Sequence, residues 1–279
     1  MNKLRETMMQ DLARGGYAKR TQEVYLDSIR DFAKYHGQSP EDLGQKEIRQ
    51  WADHLVGEGL SAQRLRQHYA ALRFLYGKTL ARPELVSFLS APKEKKRLPV
   101  VLSVDEVAQV LQAIDVFKYR VLCATIYGTG LRVSEACRLQ TGDIDAKREV
   151  IHVRNGKGGK ERLVGLSPVL LKLLRLYWKV ERPKAPWMFT SRSGGPLGRK
   201  TLSRVLALAT ERSGIQKRVT AHTLRHCFAT HLIEQGTDLR VIQILLGHAS
   251  IRSTTRYAQV STGMIAKTKS PLDMLPTSN

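Results

Sequence analysis

Apolar residues recur at helical spacing through the first third of the chain. In TQEVYLDSIRDFAKYHG, Thr21 opens a predicted helix, Val24, Tyr25, Ile29 and Phe32 share one stripe, and Gly37 ends it. EIRQWADHLVGEG and SAQRLRQHYAALRFLYGKTL give two more amphipathic segments, so residues 3–89 are predicted to be helical. Residues 90–100, SAPKEKKRLPV, hold two prolines and the charged run Lys93 to Arg97 and read as a linker. Such a segment is usually a solvated tether, though a basic one can also follow a phosphate backbone.

Helical spacing then returns. Ser103 followed by Glu106 forms a capping box. A helix is expected from about Val116 to Tyr127, broken at the Gly-Thr-Gly of 128–130, and another from Leu131 or Arg132 to Leu139. At Val150 the period changes. Val150, Ile151 and Val153 predict one strand and Leu163, Val164 and Leu166 a second, with a glycine-rich hairpin turn between them. Helices are expected again from Pro168 onward. There are no internal repeats and no low-complexity segment.

One late helix, AHTLRHCFATHLIEQG, has two faces. Leu224, Phe228 and Leu232 follow the spacing of a buried side, while His222, Arg225 and His226 fall within an arc of about 100°. Ala229 lies inside that arc and is too small to cover it, so the polar face reads as a cationic cup for an anion.

Composition says which anion to consider. The 279 residues suit two domains, and 42% hydrophobic residues suffice for packed cores. The net charge of +21, from 46 Lys+Arg against 25 Asp+Glu, points to a polyanion, most commonly nucleic acid. The excess is +6 over residues 1–100 and +15 over 101–279. Cys123, Cys137 and Cys227 are odd in number and form no CxxC pair, which fits a reducing compartment. The N-terminus has no apolar signal core and no run of 18 apolar residues occurs, so a cytoplasmic protein with no membrane span is expected.

Four short stretches remain as candidate chemistry. Residues 156–160, GKGGK, lack the helix and the Ser or Thr of a nucleotide-binding loop, since Glu161 and a strand follow; what is left is a hairpin tip carrying Lys157 and Lys160. GTGLRVSEACRL places Arg132 at a helix start, with Glu135 in reach of an i, i+3 pair. HTLRH has histidines at i, i+4, but Thr223 stands where a metalloprotease needs Glu and Arg225 would repel a cation, so no metal is expected. LLGHASIRSTTRYAQV offers Gly247 as a helix stop, then His248 and Tyr257. Taken singly, each has an ordinary structural explanation.

As an ordered set, G-x-G-x-R-x-S-E with Arg132 and Glu135, the hairpin Lys157, H-x-L-R-H with His222 and Arg225, L-G-H with His248, and Tyr257 resemble the tyrosine recombinase, or phage integrase, family. The resemblance spans essentially the whole chain. It departs at Gly165, Cys227 and Gln259, where proline, serine and histidine are common. It implies a mainly α fold with a small β-hairpin or sheet. The implied domains are a helical, SAM-like core-binding domain over 1–89, a basic linker over 90–100, and an α/β catalytic domain of the DNA breaking-rejoining type over 101–279. Together they would form a C-shaped clamp on DNA. The implied reaction is site-specific recombination through a 3′-phosphotyrosine link, independent of metal, ATP or other cofactor.

The resemblance also implies roles. Tyr257 would be the nucleophile, with Tyr127 or Tyr177 as fallbacks. Arg132, supported by Glu135, Arg225 and His248 would bind the phosphate. His222 would be the base and Lys157 the acid, with Lys160 as its alternative, and His226 would only support the helix. The implied partner is double-stranded DNA carrying recombination sites, in a homotetrameric synapse at the bacterial nucleoid built from monomers or weak oligomers, with the tail 264–279 docking on a neighbour. A regulatory DNA-binding protein and a type IB topoisomerase are the competing readings.

Overall fold

The computed structural model describes residues 2–90, 98–154, 161–184, 186–247, 254, 255 and 257. The chain divides into two compact units, Met1–Lys96 and Arg97–Asn279.

The first unit is helical. It contains α1 (Asn2–Arg14), α2 (Lys19–His36), α3 (Gln45–Gly57) and α4 (Ala62–Phe74), whose last turn widens into a π-helical segment over Leu75–Thr79. The α2 helix starts two residues before the predicted Thr21 and ends at Gly37, which takes the left-handed conformation (φ 66°) that a residue without Cβ reaches at no steric cost. Its buried stripe is Ser28, Ile29, Phe32 and Ala33, with Val24 and Tyr25 half-buried. Phe32 packs with Met8, Leu12, Ile48, Trp51 and Leu72. Tyr76 is fully buried in the same core and hydrogen-bonds through its hydroxyl to the Pro40 carbonyl at 2.8 Å.

The second unit begins with α5 (Val104–Gln112), α6 (Phe117–Thr129) and α7 (Val133–Cys137). The predicted capping box is present, with Ser103 N–H donating to Glu106 Oε2 at 2.8 Å and Glu106 N–H to Ser103 Oγ at 3.1 Å. Three antiparallel strands follow in the order β1 (Ile144–Asp145), β2 (Val150–Val153) and β3 (Arg162–Gly165). The strand β1 was not predicted, because two residues are too few to show a period. The register pairs Val153 with Arg162 and Ile151 with Val164, while the expected hairpin tip, 156–160, lies outside the described residues.

After the sheet come α8 (Pro168–Glu181), α9 (Arg199–Arg212), α10 (Ala221–Glu234) and α11 (Leu239–Leu246). The expectation of helix throughout from Pro168 is corrected between α8 and α9, where bridges join Gln140 to Trp187 and Thr190 to Pro196. The core gathers Val121, Leu122 and Ile126 of α6 with Ile151, Val164, Leu174, Tyr177, Leu206 and Leu224. The three cysteines are buried free thiols. No described helix is long and apolar enough to cross a membrane.

Candidate active site

The site is assembled on the ends of helices. Gly130 terminates α6 with φ 64°, and a Cβ built there would lie 2.4 Å from the Phe228 ring, so both conformation and space demand glycine. The turn places Arg132 at the N-cap of α7. Its backbone N–H donates to Glu135 Oε2 at 2.8 Å and its Nη1 to Glu135 Oε1 at 2.8 Å, the pair anticipated from the i, i+3 spacing. Its Nη2 reaches the Gly247 carbonyl at 3.0 Å.

The helix α10 starts where Thr220 and Thr223 cap one another, each N–H donating to the other's hydroxyl at 3.1 Å. Arg225 is 2% exposed, with Nη1 on the Gly130 carbonyl at 2.5 Å and Nη2 on the Leu246 carbonyl at 2.6 Å. Burial and the neighbouring Arg132 pull its guanidinium down to about 10, which leaves it charged at neutral pH; Glu135 and Tyr257 act in the opposite direction. The two-faced reading of this helix is corrected. Thr223, Leu224, Arg225, Cys227, Ala229, Thr230, His231 and Ile233 are all buried, and Ala229 packs with Ile242, Leu246 and Tyr257 instead of flooring an open cup.

Tyr257 is 2% exposed. Its hydroxyl lies 3.2 Å from His226 Nδ1 and its ring centroid 5.3 Å from that of His226. Among the described residues, the imidazole whose hydrogen bond to this hydroxyl is established is that of His226, a residue expected to support the helix. His222, one turn earlier, has its ring centroid 5.5 Å from that of His226. The fallback tyrosines sit elsewhere. Tyr127 bonds His231 Nδ1 at 2.9 Å and Tyr177 is fully buried beside Phe117 and Phe189, and burial pushes both phenols up. Lys157, Lys160, His248, Gln259 and the tail 264–279 lie outside the described residues.

Sequence reasoning missed Arg162. Its side chain is 8% exposed and donates Nη1 to Glu135 Oε1 at 3.0 Å, Nη2 to Glu135 Oε2 at 2.7 Å, and Nε to the Leu245 carbonyl at 2.8 Å. Burial by itself would raise the Glu135 carboxyl; the hydrogen bonds from Arg162 and Arg132 outweigh it and bring it down to about 2. A signal was available. The two-residue period of β3 puts Arg162 on the inward face with Val164, and Leu163 is 43% exposed on the other side.

Three guanidinium groups thus bond three successive carbonyls, Leu245, Leu246 and Gly247, at the end of α11. A helix C-terminus carries partial negative charge and unpaired carbonyls, so the cations satisfy both.

Residues 100–264 match the profile of the Phage integrase family, and residues 4–86 that of the Phage integrase, N-terminal SAM-like domain. The chain is 40% identical over 279 residues to a putative integrase/recombinase, y4qK, of Sinorhizobium fredii (strain NBRC 101917 / NGR234), covering 99% of this chain and 90% of that one. It is 32% identical to a tyrosine recombinase XerD of Rhizobium meliloti (strain 1021), covering 89% and 87%. The fold is similar to that of a lambda integrase dimer bound to a COC′ core site, with a TM-score of 0.74, 23% identity, and coverage of 91% and 96%.

Proposed function

The chain belongs to the phage integrase family and is a tyrosine site-specific recombinase, and on that premise we propose how its residues carry out the reaction. Double-stranded DNA is the substrate, as in the lambda integrase complex of like fold, and the net charge of +21 favours binding to it.

Tyr257 is the nucleophile. Its oxygen bonds to phosphorus as the bond from phosphorus to the 5′ oxygen breaks, leaving a 3′-phosphotyrosine and a free 5′-hydroxyl. The Tyr257 proton passes to the His222–His226 pair, whose His226 Nδ1 lies 3.2 Å from the hydroxyl. Lys157 supplies a proton to the departing 5′ oxygen. A phenol with a pKa near 10 is only about 0.1% ionised at pH 7, so base and cations are both required.

Arg132 and Arg225 meet the nonbridging oxygens, whose charge grows in the pentacoordinate transition state, and His248 donates a further hydrogen bond. Attack on the phosphotyrosine by a 5′-hydroxyl of another strand restores the tyrosine and joins the new strand. Because the link conserves the bond energy, the scheme requires neither nucleotide nor metal. Four subunits act at the synapse, with segment 264–279 docking on a neighbour.

The observation that carries this reading is the hydroxyl of Tyr257 held by an imidazole one residue along α10 from the buried Arg225. A nicked suicide duplex tests it. The native protein is expected to form a denaturant-stable adduct, and Tyr257→Phe none, at little-changed affinity. Affinity is also expected to fall by orders of magnitude from low to moderate salt. An adduct formed by Tyr257→Phe assigns the nucleophile to another residue.

A further inference from the structure

An isolated Arg132–Glu135 pair would be poorly suited to binding a phosphate. Glu135 is 6% exposed on its side chain and keeps its charge far below neutral pH, so it would neutralise the very guanidinium that the substrate needs. The structure contains the remedy. Arg162 approaches the same carboxylate from strand β3 with both arms of its fork, 3.0 and 2.7 Å away. With Arg132, Arg162 and Arg225 against Glu135, the cluster retains two positive charges, and Arg132, the more exposed partner of Glu135 at 21%, is left to face an anion.

We propose that Arg162 is a positioning residue for strand cleavage, acting through Glu135 on Arg132. Its bonds link three elements at once: β3 where it sits, the first turn of α7 through Glu135, and the end of α11 through the Leu245 carbonyl. Those elements adjoin Lys157, Arg132 and His248 in the chain. Gly247 records how close the approach is, since a Cβ there would lie 3.0 Å from Arg162 Cδ and 3.2 Å from its Nε. A lysine would keep the charge and lose the fork, so it could not bridge both carboxylate oxygens while also reaching Leu245. Arg162 itself donates from Nε, Nη1 and Nη2 to protein acceptors, two of them the oxygens of the carboxylate that also holds Arg132, so its effect on the reaction runs through Glu135.

The inference rests on Arg132 being a phosphate ligand, and the test separates the two. Arg162→Met, Arg162→Lys and Arg132→Ala are compared in the full chain, with thermal unfolding as a control for folding. Single-turnover cleavage is followed on a half-site whose scissile phosphate is natural or has one nonbridging oxygen replaced by methyl. The methyl removes the charge that Arg132 offsets, so it distinguishes lost charge stabilisation from general loss of structure.

Arg162→Met is expected to cleave the natural phosphate on the order of 10²-fold more slowly at unchanged half-site affinity, as for loss of one aligned transition-state donor. Most of that defect should vanish on the methyl substrate, and Arg162→Lys should fall between. If Arg162→Met does not fold, Arg162→Lys carries the same comparison. Cleavage of the natural phosphate at the native rate, or equal defects on both substrates, overturns the role of Arg162. Native-rate cleavage by Arg132→Ala would instead overturn the assignment of Arg132, and with it the reading beneath.

Discussion

The α2 helix of the first unit turns one stripe inward and leaves its remaining surface to solvent, whereas α10 of the second unit is enclosed nearly all the way round. The stripe of α2 is held by apolar area, with Phe32 at its centre. What α10 buries includes Arg225 and His231, and these are held by directed bonds: Arg225 to the Gly130 and Leu246 carbonyls, His231 Nε2 to the Leu102 carbonyl at 2.9 Å and its Nδ1 to the Tyr127 hydroxyl. The difference teaches where each region is vulnerable. A helix packed by area answers to volume; one packed by polar geometry answers to charge, pH and the position of single carbonyls.

Exchanging the insults should expose this most strongly. Arg225→Ala is expected to lower cleavage on the order of 10³-fold, as for a lost oxyanion donor, and to orphan two buried carbonyls. Phe32→Ala should cost about 3–5 kcal/mol of stability by leaving a cavity, yet leave the cleavage rate of folded, DNA-bound protein unchanged. Single-turnover cleavage beside urea unfolding reads both, and slow chemistry in well-folded Phe32→Ala would break the contrast.

The next effect concerns pH. Glu135 is depressed to about 2 in the folded protein, so its contribution is fully present above the unfolded value and is lost as pH falls through the window from about 4.5 to 2. Glu135→Gln should therefore lose up to about 3 kcal/mol at neutral pH and show a flatter acid limb than the parent. Coincident acid limbs would show that Glu135 gains nothing from its arginines on folding.

The smallest effect sharpens the comparison at two glycines of like conformation. At Gly37 a Cβ meets nothing within 4 Å, so Gly37→Ala should cost only the left-handed backbone penalty of about 1 kcal/mol. At Gly130 the same penalty is joined by the clash with Phe228, so Gly130→Ala should cost about 2 kcal/mol more and slow cleavage by shifting the carbonyl beneath Arg225. Equal unfolding midpoints for the two variants would dissolve the distinction.

What was legible in the sequence follows the same divide. The α2 stripe, the Ser103 capping box, the strands β2 and β3 and the Arg132–Glu135 pair could all be read because each depends on residues close in sequence. The enclosure of α10 could not. Its surroundings come from Gly130, 95 residues earlier, and Leu246, 21 residues later, and a periodicity argument has no access to either. Arg162 is 27 residues from Glu135, so the shared carboxylate was invisible, although an arginine on the inward face of a strand was a sign worth following. The contact between His226 and Tyr257 spans 31 residues, so spacing along α10 alone does not reveal it.

The enclosed thiol of Cys227 gives this part of the molecule a chemical clock. Its Sγ accepts the Leu102 N–H at 3.2 Å, and burial pushes the thiol up to about 11 despite that bond. Alkylating reagents consume thiolates, and a sulfur that is neither ionised nor accessible reacts only during excursions that open the packing around α10. The rate at which Cys227 becomes labelled thus measures the lifetime of the closed helix two residues from Arg225. Its slowing on DNA would report how firmly the nucleic acid clamps that helix shut.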